Sequence, residues 1–282
     1  MSEIKNRNVL ITGGASGIGK IMCRMCLEQG AAKVIIWDLN PEAMKKAADE
    51  FAPLGKVLCY RVNVADAANI AEAYEKTREE AGYIDILINC AGVVKGNETF
   101  DRQRVSDIRL TMDVNATAPM LVALEIMPDM ISRNSGHICN IASAAGLLGV
   151  PKLSVYCASK WAVVGWSESM RIELKMARSK VKVSCIAPYF INTGMFDGVK
   201  SKVFNILEPE KTAANILKAI RRNKDFKGLP FAYHFVRFWQ GILPNSLFDF
   251  IFGKIFGVYS VMDHFTGRKS SKVNIDTGRK AA

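Results

Sequence analysis

The chain has 282 residues, 49% hydrophobic and 23% charged, with 38 Lys and Arg against 27 Asp and Glu. This excludes a disordered or collagen-like chain, and the length suffices to bury a core without staples. The formal charge of +11 is uneven: residues 199–282 hold 15 basic and 6 acidic side chains, whereas residues 1–198 hold 23 and 21.

Apolar runs rich in Val and Ile occupy 8–12, 33–37, 56–62, 84–89, 137–142 and 181–187, and each predicts a strand buried on both faces. Helical spacing occupies 18–29, 41–51, 66–80, 103–133 and 155–179. The alternation predicts right-handed βαβ units, hence one Rossmann-type, doubly wound α/β domain with a parallel sheet. Asn40 before Pro41 marks a capped helix start. Pro119 and Pro128 start or kink segments within 103–133. The seven cysteines are odd in number, scattered, and follow no secretory signal, which predicts reduced thiols in a cytoplasmic chain. Cys23 and Cys26 form a CxxC that reads as core packing. His137, His234 and His264 show no metal-ligand spacing, so no metal is expected.

The first strand runs into Thr12-Gly13-Gly14-Ala15-Ser16-Gly17-Ile18-Gly19, and a helix follows. Glycines allow a tight turn and close approach of a ligand, and the helix N-terminus offers N–H groups to a pyrophosphate. Asp38 ends the second strand. A carboxylate there accepts hydrogen bonds from the ribose hydroxyls of NAD and repels the 2′-phosphate of NADP. The glycine loop holds no Arg or Lys, and Ser16 stands where one would sit. NAD is therefore the expected cofactor, with a plain surface Asp as the alternative.

These residues resemble the short-chain dehydrogenase/reductase family. The glycine loop looks like that family's TGxxxGxG. Asn89-Cys90-Ala91-Gly92 is similar to NNAG, and Tyr156-Cys157-Ala158-Ser159-Lys160 matches YxxxK. Ser143 lies thirteen residues before Tyr156, and Asn115 lies on the preceding helix. The matches keep the family's order over residues 7–195. The resemblance implies cofactor contacts from Gly13, Ser16, Gly17, Ile18, Gly19, Asp38, Asn63, Val64, Asn89, Ala91, Gly92, Tyr156, Lys160, Pro188 and Thr193. Asn63 stands where the family often has Asp, Cys90 replaces the second Asn, and Pro188 lacks the glycine usual after it.

The resemblance also implies a catalytic set of Asn115, Ser143, Tyr156 and Lys160. Tyr156 and Lys160 are four apart and share one helix face. A free tyrosine titrates near about 10 and is a poor base. A nearby ammonium and the positive nicotinamide ring favour the phenolate, so Tyr156 is expected to have a lowered pKa and to exchange the alcohol proton. By the resemblance, Ser143 holds the substrate oxygen, Lys160 binds the nicotinamide ribose, and Asn115 anchors a water linking Lys160 to solvent. Ser154, two residues before Tyr156, is a rival that fits the motif badly.

The C-terminal third departs from the family's usual short ending. Ten of 25 aromatic residues fall within 229–262. From Leu247 to Ser260, Asp249, Gly253, Gly257 and Ser260 form a thin polar stripe on an expected apolar helix. No run there reaches 18 apolar residues, so a spanning helix is not expected. The segment either closes the substrate cleft or a dimer, or lies in a membrane interface beside Arg221, Arg222, Lys224, Lys227 and Arg237. The extension resembles the retinol dehydrogenase and 17-beta-hydroxysteroid dehydrogenase branch. That branch often has an N-terminal anchor, whereas the first strand here begins near residue 8.

Three segments follow: a catalytic unit (1–228), an aromatic extension of the same domain (229–267) and a polar tail (268–282). The expected function is hydride transfer between NAD(H) and the alcohol or carbonyl of a sterol, retinoid or long-chain alcohol. The alternative is an NAD-binding lipid-surface protein with little turnover. The expected state is a cytoplasmic homodimer or homotetramer with peripheral membrane contact and no nucleic-acid partner.

Overall fold

A computed structural model describes residues 2–95, 98–201 and 204–267; the polar-tail assignment lies outside these. The β-branched runs become β1 (Asn8–Thr12), β2 (Lys33–Asp38), β3 (Val57–Arg61), β4 (Ile86–Asn89), β5 (His137–Ile141) and β6 (Lys182–Pro188). A seventh strand, β7 (Phe226–Leu229), completes a parallel sheet in the order β3-β2-β1-β4-β5-β6-β7. The fold is the expected doubly wound α/β sheet. β7 escapes sequence reading because Phe226-Lys227-Gly228-Leu229 has neither an apolar run nor alternation. β3 corrects another expectation: among the described residues it pairs only with β2, at the sheet edge, and it is half-buried rather than buried on both faces.

The helices are α1 (Gly17–Glu28), α2 (Pro41–Phe51), α3 (Ala67–Ala81), α4 (Val105–Met112), α5 (Ala118–Ser132), α6 (Ser154–Met176), α7 (Pro209–Arg221) and α8 (Val236–Ile242). Side chains from α1, α2 and α7 form a core on one face of the sheet, with Met22, Phe51 and Ile216 fully buried. Those from α3, α5 and α6 form a second core on the other, around Trp37, Ile70 and Ile126. Cys23 and Cys26 sit in the first core, and burial pushes the Cys26 thiol up to about 12. Asn40 starts α2 as read, its Oδ1 accepting the Ala43 N–H at 3.0 Å.

The 103–133 segment is interrupted where Pro119 requires it. Pro119 has no N–H to give to the carbonyl four residues earlier. The backbone widens over Asp113–Thr117, with the Ala118 N–H reaching back to the Asp113 carbonyl. Asn115 sits in this wide turn, fully buried.

The expected 247–260 helix is broken. A short helical segment, Asn245–Phe248, leads into a wide turn over Asp249–Ile255, and Gly257 at φ +69° ends it. The ring of Tyr259 folds back over Gly253, where a Cβ would lie 2.3 Å from the ring, and its hydroxyl donates to Asp249. Asp249 and Gly253 of the polar stripe thus seat a returning aromatic side chain. Tyr233, Val236, Val261 and Met262 are buried in a third core over the carboxyl ends of β5 and β6. Phe231, Phe238, Ile242, Phe250 and Ile255 remain more than half exposed. The extension therefore has a buried side and an open apolar side.

His137 gives a pH test of stability. Its ring is buried between the hydroxyls of Ser2, 2.9 Å from Nδ1, and Ser184, 2.8 Å from Nε2. Burial, with Lys182 nearby, lowers its pKa from 6.5 to about 4. The unfolded chain binds the extra proton between those values, so this stability is present above pH 6.5 and lost as pH falls towards 4. The loss is about 3 kcal/mol across the window. Urea denaturation at pH 7 and 4.5 should show it, and His137→Gln should show a smaller difference between the two.

Candidate active site

The strand order reverses between β1 and β4, and in open parallel sheets a crevice forms beyond the carboxyl ends at such a point. The two loops there are tied together: Thr12 Oγ1 accepts the N–H of Cys90 at 3.0 Å and of Ala91 at 3.1 Å. Gly13 has φ +68°, and a Cβ on it would lie 2.9 Å from Ala91 Cα. A Cβ on Gly19 would lie 2.2 Å from the Gly13 carbonyl oxygen. The loop can close on itself only with glycine at these positions.

Ser16 begins α1 with extended backbone, and its side chain makes no capping bond among the described residues. Gly13, Ser16, Gly17, Ile18 and Gly19 line the cleft. The first N–H groups and the positive helix end thus face a space able to take a phosphate. Asp38 does not line it. Its carboxylate accepts the Ala15 N–H at 3.1 Å and the Asn40 N–H at 3.0 Å, which places it against the back of the glycine loop. Asn63 and Val64 follow β3 outside the cleft, with Asn63 Oδ1 accepting the Ala65 N–H at 3.1 Å.

Asn89 is also outside. It is buried, and its amide donates to Asn140 Oδ1 at 2.9 Å and the Pro119 carbonyl at 3.3 Å. It braces β4 against β5, while Cys90, Ala91 and Gly92 line the cleft in its place.

On the opposite wall stand Ser143, Tyr156 and Lys160, with Pro188 and Thr193 at the rim. Ser143 follows β5, its Oγ accepting the Ala145 N–H at 3.1 Å, and lines the cleft together with Tyr156. Lys160 Nζ donates to the Ile141 carbonyl at 2.9 Å and lies 5.8 Å from the Tyr156 ring centroid. Asn115 stands behind the wall. It pairs with the Val93 backbone at 2.8 Å in both directions and donates to Ser159 Oγ at 3.3 Å. Ser154 is exposed at the start of α6 and does not line the cleft. Sequence reading missed Leu148, Val150, Phe190, Phe196 and Val261, which make the rest of the lining apolar. The runs Leu147-Leu148-Gly149-Val150 and Tyr189-Phe190 are unusually apolar for loops, and that was the available signal.

The profile described as "short chain dehydrogenase" matches residues 7–203. The chain is a short-chain dehydrogenase/reductase. It resembles mouse epidermal retinol dehydrogenase 2, with 34% identity over 268 residues, covering 93% of this chain and 85% of the relative. Mouse 17-beta-hydroxysteroid dehydrogenase 13 is 31% identical over 232 residues, covering 81% and 75%. A solved short-chain dehydrogenase/reductase from Burkholderia phymatum, in complex with NAD, superposes with a TM-score of 0.78 at 24% identity, covering 86% of this chain and 95% of that one. The protein thus belongs to the retinol and 17-beta-hydroxysteroid dehydrogenase branch of an oxidoreductase family that uses nicotinamide cofactors.

Burial raises the Tyr156 hydroxyl above its ordinary value, and the neighbouring Ser143 hydroxyl offsets only part of that; the lowering expected from Lys160 together with a positive nicotinamide concerns the cofactor-bound enzyme. Burial lowers Lys160 to about 8, so its amine is still mostly charged at neutral pH. Lys160 donates to the Ile141 carbonyl, and burial keeps the proton on the phenol. Cys90 is pushed up to about 12 by burial and is a neutral thiol in the cleft.

Proposed function

We propose that this short-chain dehydrogenase/reductase uses NAD(H) to interconvert the alcohol and carbonyl of a bulky apolar substrate, a sterol, a retinoid or a long-chain alcohol. The observation that carries the reading is the Ser143–Tyr156–Lys160 wall facing an uncapped helix N-terminus across one apolar cleft. A nicotinamide cofactor, when bound, supplies the hydride acceptor or donor. Gly13 to Gly19 and the α1 N-terminus hold its phosphates, and Asp38, Asn63 and Val64 lie towards its adenosine end.

Ser143 and Tyr156 hold the substrate oxygen from two hydroxyls. In reduction Tyr156 donates its proton, which suits the protonated phenol that burial maintains. In oxidation Tyr156 would act as the base in its ionised form, which the Lys160 ammonium and the positive charge that an oxidised nicotinamide would supply both favour. Asn115, buried against Val93 and Ser159, keeps the wall rigid and would anchor a water linking Lys160 to solvent. The names of the retinol and hydroxysteroid relatives agree with an apolar lining built from Leu148, Phe190, Phe196 and Val261.

The open apolar side of residues 229–262, beside Arg222, Lys224 and Lys227, supports peripheral contact of a cytoplasmic enzyme with anionic lipid. Exposed Leu124 on α5 and Trp161, Ile172 and Met176 on α6 support a homodimer or homotetramer. The same open side motivates the second reading, an NAD-binding lipid-surface protein with little turnover. A panel of steroid, retinoid and fatty alcohols with NAD⁺ and NADP⁺, following the reduced cofactor by absorbance, separates them. Turnover supports the enzyme, and binding without turnover supports the second reading.

Asp38 predicts the cofactor. Asp38→Asn keeps an acceptor for the loop and removes the charge that repels a 2′-phosphate. The NADP/NAD ratio of kcat/KM should rise at least about tenfold. A protein that already prefers NADP before substitution would refute the assignment.

A further inference from the structure

We infer that this dehydrogenase carries a second chamber that houses the flexible hydrocarbon tail of its substrate, a proposal that rests on the alcohol–carbonyl reading above. Beside the catalytic cleft lies a cavity of about 550 Å³, within the range of about 300–1,000 Å³ usual for small-molecule sites. Leu148, Tyr189, Tyr233 and Val258 line both spaces, so cleft and cavity share one wall. The Tyr189 and Tyr233 rings in that wall stack with centroids 5.6 Å apart at 28°. Tyr189 is held by its hydroxyl donating to Ser201 Oγ at 3.0 Å. The far side is Val236, Phe252 and Phe256, and the mouth is formed by Phe235, Phe238 and Trp239, which are 47%, 57% and 44% exposed.

Among the described residues no charged side chain lines this chamber. A ligand there gains by burying apolar surface, and a polar head would be stranded. The head therefore stays at Ser143 and Tyr156, and the rest of the molecule must pass a wall of stacked rings. A single file of methylenes can bend past one displaced tyrosine. A fused ring system cannot bend from the cleft into the chamber. The substrate class is thus an alcohol or aldehyde on a linear acyl or isoprenoid chain rather than a rigid sterol.

The test uses the full chain. Straight-chain primary alcohols from short to long, with NAD⁺, should show kcat/KM rising by up to about fourfold per methylene once the tail enters the chamber. Ala232 lines the chamber and not the cleft. Ala232→Phe should erase the gain for long chains by tenfold or more and leave short alcohols within twofold. Binding is read without turnover by 12-bromododecanol, whose tail bromine should quench Trp239 fluorescence; Trp239→Phe should remove that quenching and Ala232→Phe should weaken it. Quenching with no turnover of any alcohol would keep the chamber and overturn the enzyme reading. Turnover that ignores chain length, or quenching unchanged in Ala232→Phe, would overturn the chamber and leave the enzyme reading standing.

Discussion

Replacing Tyr156 by Phe should lower kcat by about a hundredfold or more while cofactor affinity stays within a few-fold. The hydroxyl is the only group lost, and Tyr156 lines the cleft together with Ser143. The ring keeps its edge-to-face contact with Phe196 at 5.8 Å, so the wall keeps its shape. Steady-state kinetics and cofactor fluorescence read the two quantities separately. Near-normal kcat in the variant would remove Tyr156 from proton transfer. A matching loss of cofactor affinity would show instead that the wall had moved.

The second large effect lies in the glycine loop. Gly19→Ala places a Cβ 2.2 Å from the Gly13 carbonyl oxygen, a backbone atom with no side-chain freedom to yield. The loop or α1 must shift, and overpacking of this kind costs about 1–3 kcal/mol. The α1 N–H groups shift with it, so cofactor affinity should fall by a hundredfold or more. Gly165 is the matched control. It sits exposed in α6 with nothing within 4 Å of its would-be Cβ. Gly165→Ala should stabilise the protein by about 0.5–1 kcal/mol, because glycine is the poorer helix former, and leave binding unchanged. Thermal melts and cofactor titration on both variants give the comparison. Equal affinities in both would show that the loop tolerates a side chain and does not cradle the cofactor.

Local sequence sufficed wherever short-range chemistry decides the outcome. Six strands, the capped start of α2, the glycine loop and the Tyr156–Lys160 spacing were legible because each depends on neighbours within a few residues. Pro119 marked the break near Asn115 because the missing N–H is a property of the residue itself. Tertiary structure decided what depends on distant partners. β7 exists because β6 offers an open edge to four unremarkable residues. Asn89 turns into the sheet because Asn140 and the Pro119 carbonyl meet it there. Asp38 is aimed by N–H groups on both sides of the glycine loop and the turn after β2. The burial that raises the Tyr156 pKa comes from the third core, which no lysine four residues away reveals. The same core, assembled from β5, β6 and residues 233–262, also creates the shared tyrosine wall. Burial is a sum over the whole fold, and the sequence specifies its ingredients without showing which of them meet.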